Sequence, residues 1–108
     1  KDLIFRRFLE LITEAEGKRA SVADYARRLC ITPKYLSAAV KQASGKTALA
    51  WIHEYTLDAI AQALRFSDRS VKEIAVDFGF TNLSSFGKFV KENLGFSPRS
   101  YRLTVKNL

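Results

Sequence analysis

The sequence contains few of the residues on which covalent chemistry and metal binding depend. Its 108 residues include one cysteine, Cys30, one histidine, His53, and no methionine. A single cysteine excludes an internal disulfide and suits the reducing cytoplasm, where we expect the protein to reside. No apolar run approaches the ~20 residues that a membrane-spanning helix requires. Position 1 is lysine and no signal peptide is recognisable, so we expect a fragment cut from a longer protein.

The same scarcity argues against an enzyme. The sequence shows no Ser-His-Asp set, no glycine-rich phosphate loop and no pair of carboxylates at a useful spacing. Cys30 and His53 fall on different predicted elements, and a metal site needs more ligands than these two. We therefore expect no catalytic residue, no metal and no cofactor.

Positive charge is abundant and unevenly placed. The formal net charge is +7, and residues 17–49 carry seven basic residues against one acidic residue. Residues 70–108 carry six basic against three acidic residues, whereas residues 1–16 and 50–69 each have a net charge of −1. Two basic blocks separated by a near-neutral segment favour a polyanion as partner. The alternative is an ordinary solvated surface with excess lysine.

The stretch Ser70–Arg102 carries the clearest helical pattern. Two apolar stripes, Val71, Ile74, Ala75 and Phe78 and then Phe86, Phe89, Val90 and Leu94, each predict one buried helical face. Gly79 lies between them, where a turn with positive φ suits glycine, and Asn82 is a good N-cap for the second helix. A helix, a glycine turn and a second helix form the unit that places its second helix in a DNA groove.

This stretch also resembles the C-terminal signature of the AraC/XylS-type transcription regulators. The matching residues are Glu73-Ile74-Ala75, Gly79-Phe80, Ser85-Phe86, Phe89, Lys91, Gly95, Ser97-Pro98 and Tyr101-Arg102. The resemblance implies two helix-turn-helix units that bind double-stranded DNA in a transcription regulator. It further implies a covalently attached sensing or dimerisation domain outside this fragment, and RNA polymerase is a further candidate partner.

The first half of the chain repeats the second. Ser21, Val22, Ala26 and Thr32 recur 49 positions later as Ser70, Val71, Ala75 and Thr81, and Val40, Lys41 and Gly45 recur 50 positions later as Val90, Lys91 and Gly95. We therefore predict an all-α fold of about seven helices, with two helix-turn-helix subdomains joined by a long central helix. Residues 1–108 form a single DNA-binding domain, divided into a first subdomain 1–46, a linker helix 47–66 and a second subdomain 67–108.

Several local expectations follow from the residues. A first helix spans Asp2–Glu16 and ends at Gly17, and Ser21 and Asp24 form a capping box at the next helix. Cys30 occupies the place of Gly79 in the first turn. It predicts either a strained left-handed residue, at a cost on the order of 1 kcal/mol, or a relaxed turn that avoids the strain.

The two second helices of these units are the predicted recognition helices. The resemblance places base-reading roles on Lys34, Ser37, Ala38, Leu83, Ser84 and Lys88. Phosphate contacts are expected from Thr32, Lys41, Arg69, Asn82, Lys91 and Arg99. Leu83 either touches a thymine methyl group or staples the helix start to the core. Arg102 either contacts phosphate or forms an internal salt bridge.

We hypothesise that one monomer lays both recognition helices into successive major grooves, ~34 Å apart. The central helix Ala48–Phe66, roughly 27 Å long at ~1.5 Å per residue, would fix that distance. The alternative is an all-helical protein-interaction module without nucleic acid. That module would show an exposed apolar patch, and the sequence pattern predicts none.

Overall fold

Helices contain 77% of the residues that the computed structural model describes, which are residues 2–15, 18 and 20–106. The helices are α1 (Asp2–Glu14), α2 (Val22–Arg28), α3 (Pro33–Ser44), α4 (Ala48–Phe66), α5 (Val71–Asp77), α6 (Leu83–Leu94) and α7 (Pro98–Lys106). The described residues form no strand, which confirms the predicted all-α class. The predicted end of the first helix at Glu16 and Gly17 lies outside the described residues. None of the helices described combines the length and apolarity needed to cross a membrane.

The chain divides into two compact units, residues 1–56 and residues 57–108. The boundary falls inside α4, so this predicted linker helix is also part of both cores. Ala48 and Ile52 complete the core of the first unit. Ile60 and Leu64 complete the core of the second.

The first core lies between α1, α2, α3 and the beginning of α4. Its buried residues are Phe8, Ile12, Tyr25, Ala26, Leu36, Val40, Ala48 and Ile52. The rings of Phe8 and Tyr25 meet edge to face with centroids 5.4 Å apart. Burial also raises the pKa of the Tyr25 phenol, since a phenolate in this core would lose its hydration. At the edge of this core, Trp51 Nε1 donates a hydrogen bond to Ser44 Oγ at 2.9 Å.

The second core has the same plan with more aromatic rings. Its buried residues are Ile60, Leu64, Ile74, Ala75, Phe78, Phe80, Phe86 and Val90. The Phe80 ring lies edge to face against Phe86, with centroids 5.1 Å apart, and its centroid lies 5.5 Å from that of Phe89. Edge-to-face pairs of this kind fix ring orientation as well as burying area.

In each unit, the first helix of the helix-turn-helix begins with a capping box. In α2, Asp24 N donates to Ser21 Oγ at 3.1 Å and Ser21 N donates to the Asp24 carboxylate at 2.9 Å. In α5, Ser70 and Glu73 make the same two hydrogen bonds at 3.0 and 2.8 Å. The backbone N–H of each serine holds the pKa of its partner carboxylate below the ordinary value. The predicted Ser21–Asp24 capping box is therefore confirmed, and α5 repeats it.

The turn between the two helices has the same backbone geometry in both units, but a different residue takes the left-handed position in each. Cys30 has φ +60°, and Gly79 at the equivalent position has φ +82°. The hydrogen bonds that close the turns are Ile31 N to Ala26 O and Phe80 N to Ala75 O, both 3.0 Å. These bonds form the Schellman motif, which requires a left-handed residue. Of the two expectations for Cys30, the structure therefore confirms the strained one.

The strain at Cys30 predicts that Cys30→Gly stabilises the first unit. Glycine relieves a left-handed strain of about 1–2 kcal/mol, and its greater freedom in the unfolded chain offsets part of this gain. We expect a net increase of about 0.5–1 kcal/mol in the free energy of unfolding, measured by urea denaturation.

Two control variants separate backbone strain from loss of the thiol. Cys30→Ala keeps the Cβ atom, so it should leave stability nearly unchanged, because Cys30 is exposed. Gly79→Cys should reproduce the strain in the second unit with a loss of similar size. Equal stability of the wild type and Cys30→Gly would contradict the strain assigned to Cys30.

Candidate nucleic-acid interface

The predicted recognition helices α3 and α6 begin with the expected N-caps. Thr32 Oγ1 accepts a hydrogen bond from Tyr35 N at 3.1 Å, and Asn82 Oδ1 accepts one from Ser85 N at 2.7 Å. These side-chain oxygens are therefore occupied by their own helices. Thr32 and Asn82 can contribute to anion binding through the amides of the first helical turn, which lack carbonyl partners within the helix.

Buried side chains determine which face of each recognition helix points outward. Leu36 and Val40 of α3 have no exposed surface, and neither do Phe86 and Val90 of α6. Each pair lies one helical turn apart, so the two anchors prevent the helix from rotating about its own axis. The opposite face must point to solvent.

The outer face of α3 carries four of the predicted contact residues. Lys34, Ala38 and Lys41 are exposed, and Ser37 is half-buried beside them. Within the described part of the chain, no carboxylate forms a salt bridge with either lysine. Both positive charges therefore remain available to an anionic partner.

The outer face of α6 has the same character with different residues. Leu83, Ser84, Lys88 and Lys91 are exposed, and Gly87 is half-buried. Among the residues described, neither of these lysines has a carboxylate within salt-bridge distance. The face is therefore cationic and has short side chains, which permits close approach to a groove.

The two arginines predicted to contact phosphate differ in their surroundings. Arg69 precedes α5 and forms a salt bridge with Asp77 at the end of that helix. Both side chains remain partly exposed, so a phosphate would have to compete with Asp77 for this guanidinium. Arg99 is exposed in the first turn of α7, and no salt bridge to it occurs in the described residues.

An apolar groove borders the outer face of α6, and the sequence pattern did not predict it. The groove has a volume of about 580 Å³ and is lined by Ser70, Val71, Leu83, Gly87, Ser97, Pro98, Arg99, Arg102 and Leu103. Leu83 and Leu103 are half exposed there. The sequence pattern gave no sign of this groove, because α5, α6 and α7 bring together apolar residues that are isolated in the sequence.

A match to a known protein family identifies the two helix-turn-helix units. The family model described as a helix-turn-helix domain matches residues 25–104, which include both recognition helices and both turns. The chain belongs to the AraC/XylS-type helix-turn-helix family.

The relatives of this helix-turn-helix domain include regulators. The regulatory protein PocR of Salmonella typhimurium is 29% identical over 82 residues, which cover 76% of this chain and 27% of PocR. The C-terminal domain of AraT, a response regulator from Geobacillus stearothermophilus, is 26% identical with a TM-score of 0.83, covering 94% of this chain and 84% of that domain. The DNA-binding domain of AdpA, solved with a target DNA, shares the fold at 21% identity and a TM-score of 0.81, covering 95% of this chain and 93% of that domain.

Arg102 has a structural role in this helix-turn-helix domain that differs from both predicted roles. Its Nε donates a hydrogen bond to Leu64 O at 3.0 Å, and its Nη2 donates to Ser67 O at 3.4 Å. The last carbonyls of a helix lack intrahelical donors, and the guanidinium supplies them at the end of α4. In the part of the chain that the structure describes, Arg102 forms no salt bridge of the predicted kind, and its partners are carbonyl oxygens. The same contacts make Arg102 a weaker candidate than Arg99 for phosphate.

This role predicts that Arg102→Met destabilises the second unit. Methionine keeps most of the aliphatic stem and removes both donors, so the carbonyls of Leu64 and Ser67 lose their partner. We expect a loss of about 1–2 kcal/mol in the free energy of unfolding, measured by urea denaturation. Arg99→Met is the matched control on the same helix, and because Arg99 is exposed its effect should stay within about 0.5 kcal/mol. Equal effects of the two variants would contradict the assignment.

Proposed function

We propose that this chain is the DNA-binding domain of a transcription regulator and that it binds double-stranded DNA with sequence specificity. The observation that carries the proposal is the pair of outer faces on α3 and α6. Each is fixed by buried anchors, carries short side chains and exposes lysines that form no salt bridge among the residues described. The fold shared with the AdpA domain that was solved with DNA supports the same conclusion. PocR is a regulatory protein, and nothing in the similarity to it favours an enzyme.

Direct base contacts are assigned to residues on the two outer faces. They are Lys34, Ser37 and Ala38 in α3 and Leu83, Ser84 and Lys88 in α6. Lysine can donate to guanine O6 and N7, serine can bond a base edge or a phosphate, and alanine and leucine can contact a thymine methyl group. Because three of these six side chains, those of Ser37, Ala38 and Ser84, are short, part of the specificity should come from bridging water and DNA shape.

Phosphate contacts are assigned to groups at the edges of these faces. Lys41 and Lys91 lie in the last turns of α3 and α6, and Arg99 lies in the first turn of α7. Backbone amides beside Thr32 and Asn82 add helix N-terminal contacts. Arg69 makes a smaller contribution, because DNA must compete with Asp77 for its guanidinium.

Each unit carries a complete recognition helix, so we propose that both engage one DNA duplex in successive major grooves. The matched segment spans 27% of PocR, which leaves room in a regulator of that size for a sensing or dimerisation domain. We propose such a domain, covalently attached, as the source of regulation. RNA polymerase is a further proposed partner of the whole regulator.

The alternative function is a protein-interaction module, which the apolar groove beside α6 favours. A protein partner held mainly by apolar contact would bind with little dependence on salt. DNA binding through lysine and arginine must weaken steeply as salt rises, because bound phosphates release counterions. The salt dependence of binding therefore distinguishes the two functions.

The direct test is selection of bound sites from random duplex DNA at about 150 mM salt, followed by footprinting on the selected site. We expect an enriched sequence and a footprint covering two successive major grooves, ~34 Å apart. A protected region of a single half-turn would contradict engagement by both units. Failure to enrich any sequence would contradict the specific DNA binding proposed here.

Lysine variants test the division between phosphate and base contacts. Lys41→Ala and Lys91→Ala should weaken binding to every sequence and each lower the salt slope by about 0.9. Lys34→Ala and Lys88→Ala should instead each affect one base position. There, the difference in binding free energy between the preferred base and the other bases should fall by about 1–3 kcal/mol. The measurement is the dissociation constant on the selected site and its single-base variants across a salt series. An equal loss on all sequences for Lys34→Ala or Lys88→Ala would remove that residue from the base-reading set.

A further inference from the structure

Leu83 is an exposed apolar residue in an otherwise polar and cationic face. It is the first residue of α6 and remains 49% exposed. It borders Val71 and Leu103 along the groove, and half of its surface stays open to solvent. One turn later, a Cβ atom placed on Gly87 would meet nothing within 4 Å. The space beside Leu83 is therefore open to a ligand.

The groove next to Leu83 combines apolar walls with cationic groups. Val71, Leu83, Pro98 and Leu103 supply apolar surface, and the Arg99 side chain also lines the groove. Among the residues described, none that lines the groove is acidic. A ligand that suits this lining has an apolar group close to a negative charge. A thymidine nucleotide has both, as a C5 methyl group on the base and a phosphate on the backbone.

We infer that this groove and Leu83 read thymine in the half of the DNA site bound by the second unit. The inference rests on the DNA binding proposed above, because the groove borders the outer face of α6. The thymine C5 methyl group packs against Leu83, where Gly87 leaves room for the base edge. Arg99 binds a phosphate of the same strand.

The first unit lacks this arrangement, although the two units share one plan. The 50-residue repeat places Pro33 at the position of Leu83 and Leu49 at the position of Arg99. The first unit therefore has neither the aliphatic side chain at the start of its recognition helix nor the arginine beside it. Recognition of a methyl group by a leucine beside an arginine-lined groove is therefore confined to the second half of the site.

The experiment replaces each thymine of the selected duplex in turn by deoxyuridine, which removes only the C5 methyl group. The dissociation constant is measured for the wild type and for Leu83→Ala. For the wild type, removing the methyl group of at least one thymine in the second half of the site should lower the affinity for the duplex about fourfold. This is the effect expected for burial of one methyl group. With Leu83→Ala, the same thymine and deoxyuridine duplexes should bind equally.

The matched control is Val76→Ala, which shortens an exposed aliphatic residue of the same unit outside the groove. It should keep the full methyl effect. Wild-type binding that is indifferent to every thymine-to-deoxyuridine change in the second half of the site would overturn the inference while leaving DNA binding intact. A methyl effect of unchanged size in Leu83→Ala would overturn the role of Leu83. Absence of binding to any duplex would instead refute the DNA binding on which the inference rests.

Discussion

Each recognition helix depends on two side chains that water does not reach. Leu36 and Val40 hold α3, and Phe86 and Val90 hold α6. Full burial of such a side chain is worth about 1.5–3 kcal/mol, so each pair outweighs what any surface contact of the helix contributes. These anchors set the rotation of the helix, and the rotation decides which residues face outward. The candidate interface is therefore a consequence of core packing.

The turn that leads into each recognition helix shows how strongly this packing constrains the backbone. Cys30 and Gly79 take the same left-handed conformation, although only glycine adopts it without cost. The Schellman hydrogen bonds and the apolar residue that follows, Ile31 or Phe80, hold the chain in this path. The strain at Cys30 is about 1–2 kcal/mol. It is smaller than the free energy of apolar burial that a relaxed turn would lose.

Much of the fold was predictable from the sequence because its determinants are local. Helical stripes, capping boxes and the N-caps Thr32 and Asn82 involve residues three or four positions apart. The partners of Arg102 were not predictable, because Leu64 lies 38 residues away and contributes only a backbone carbonyl. The groove beside α6 was missed for the same reason. Its walls come from three helices, and only tertiary packing brings Leu83 and Leu103 together.

The duplicated units also differ in a way that matches their proposed roles. At equivalent positions of the recognition helices, the pairs are Lys34 and Ser84, Ser37 and Gly87, Ala38 and Lys88, and Lys41 and Lys91. Of these, only the pair proposed to bind phosphate is identical. Phosphates are the same at every step of a duplex, so one residue type serves both units. Base edges differ from step to step, and two copies that read different bases need different side chains. The proposed DNA site is therefore two unlike half-sites rather than a direct repeat.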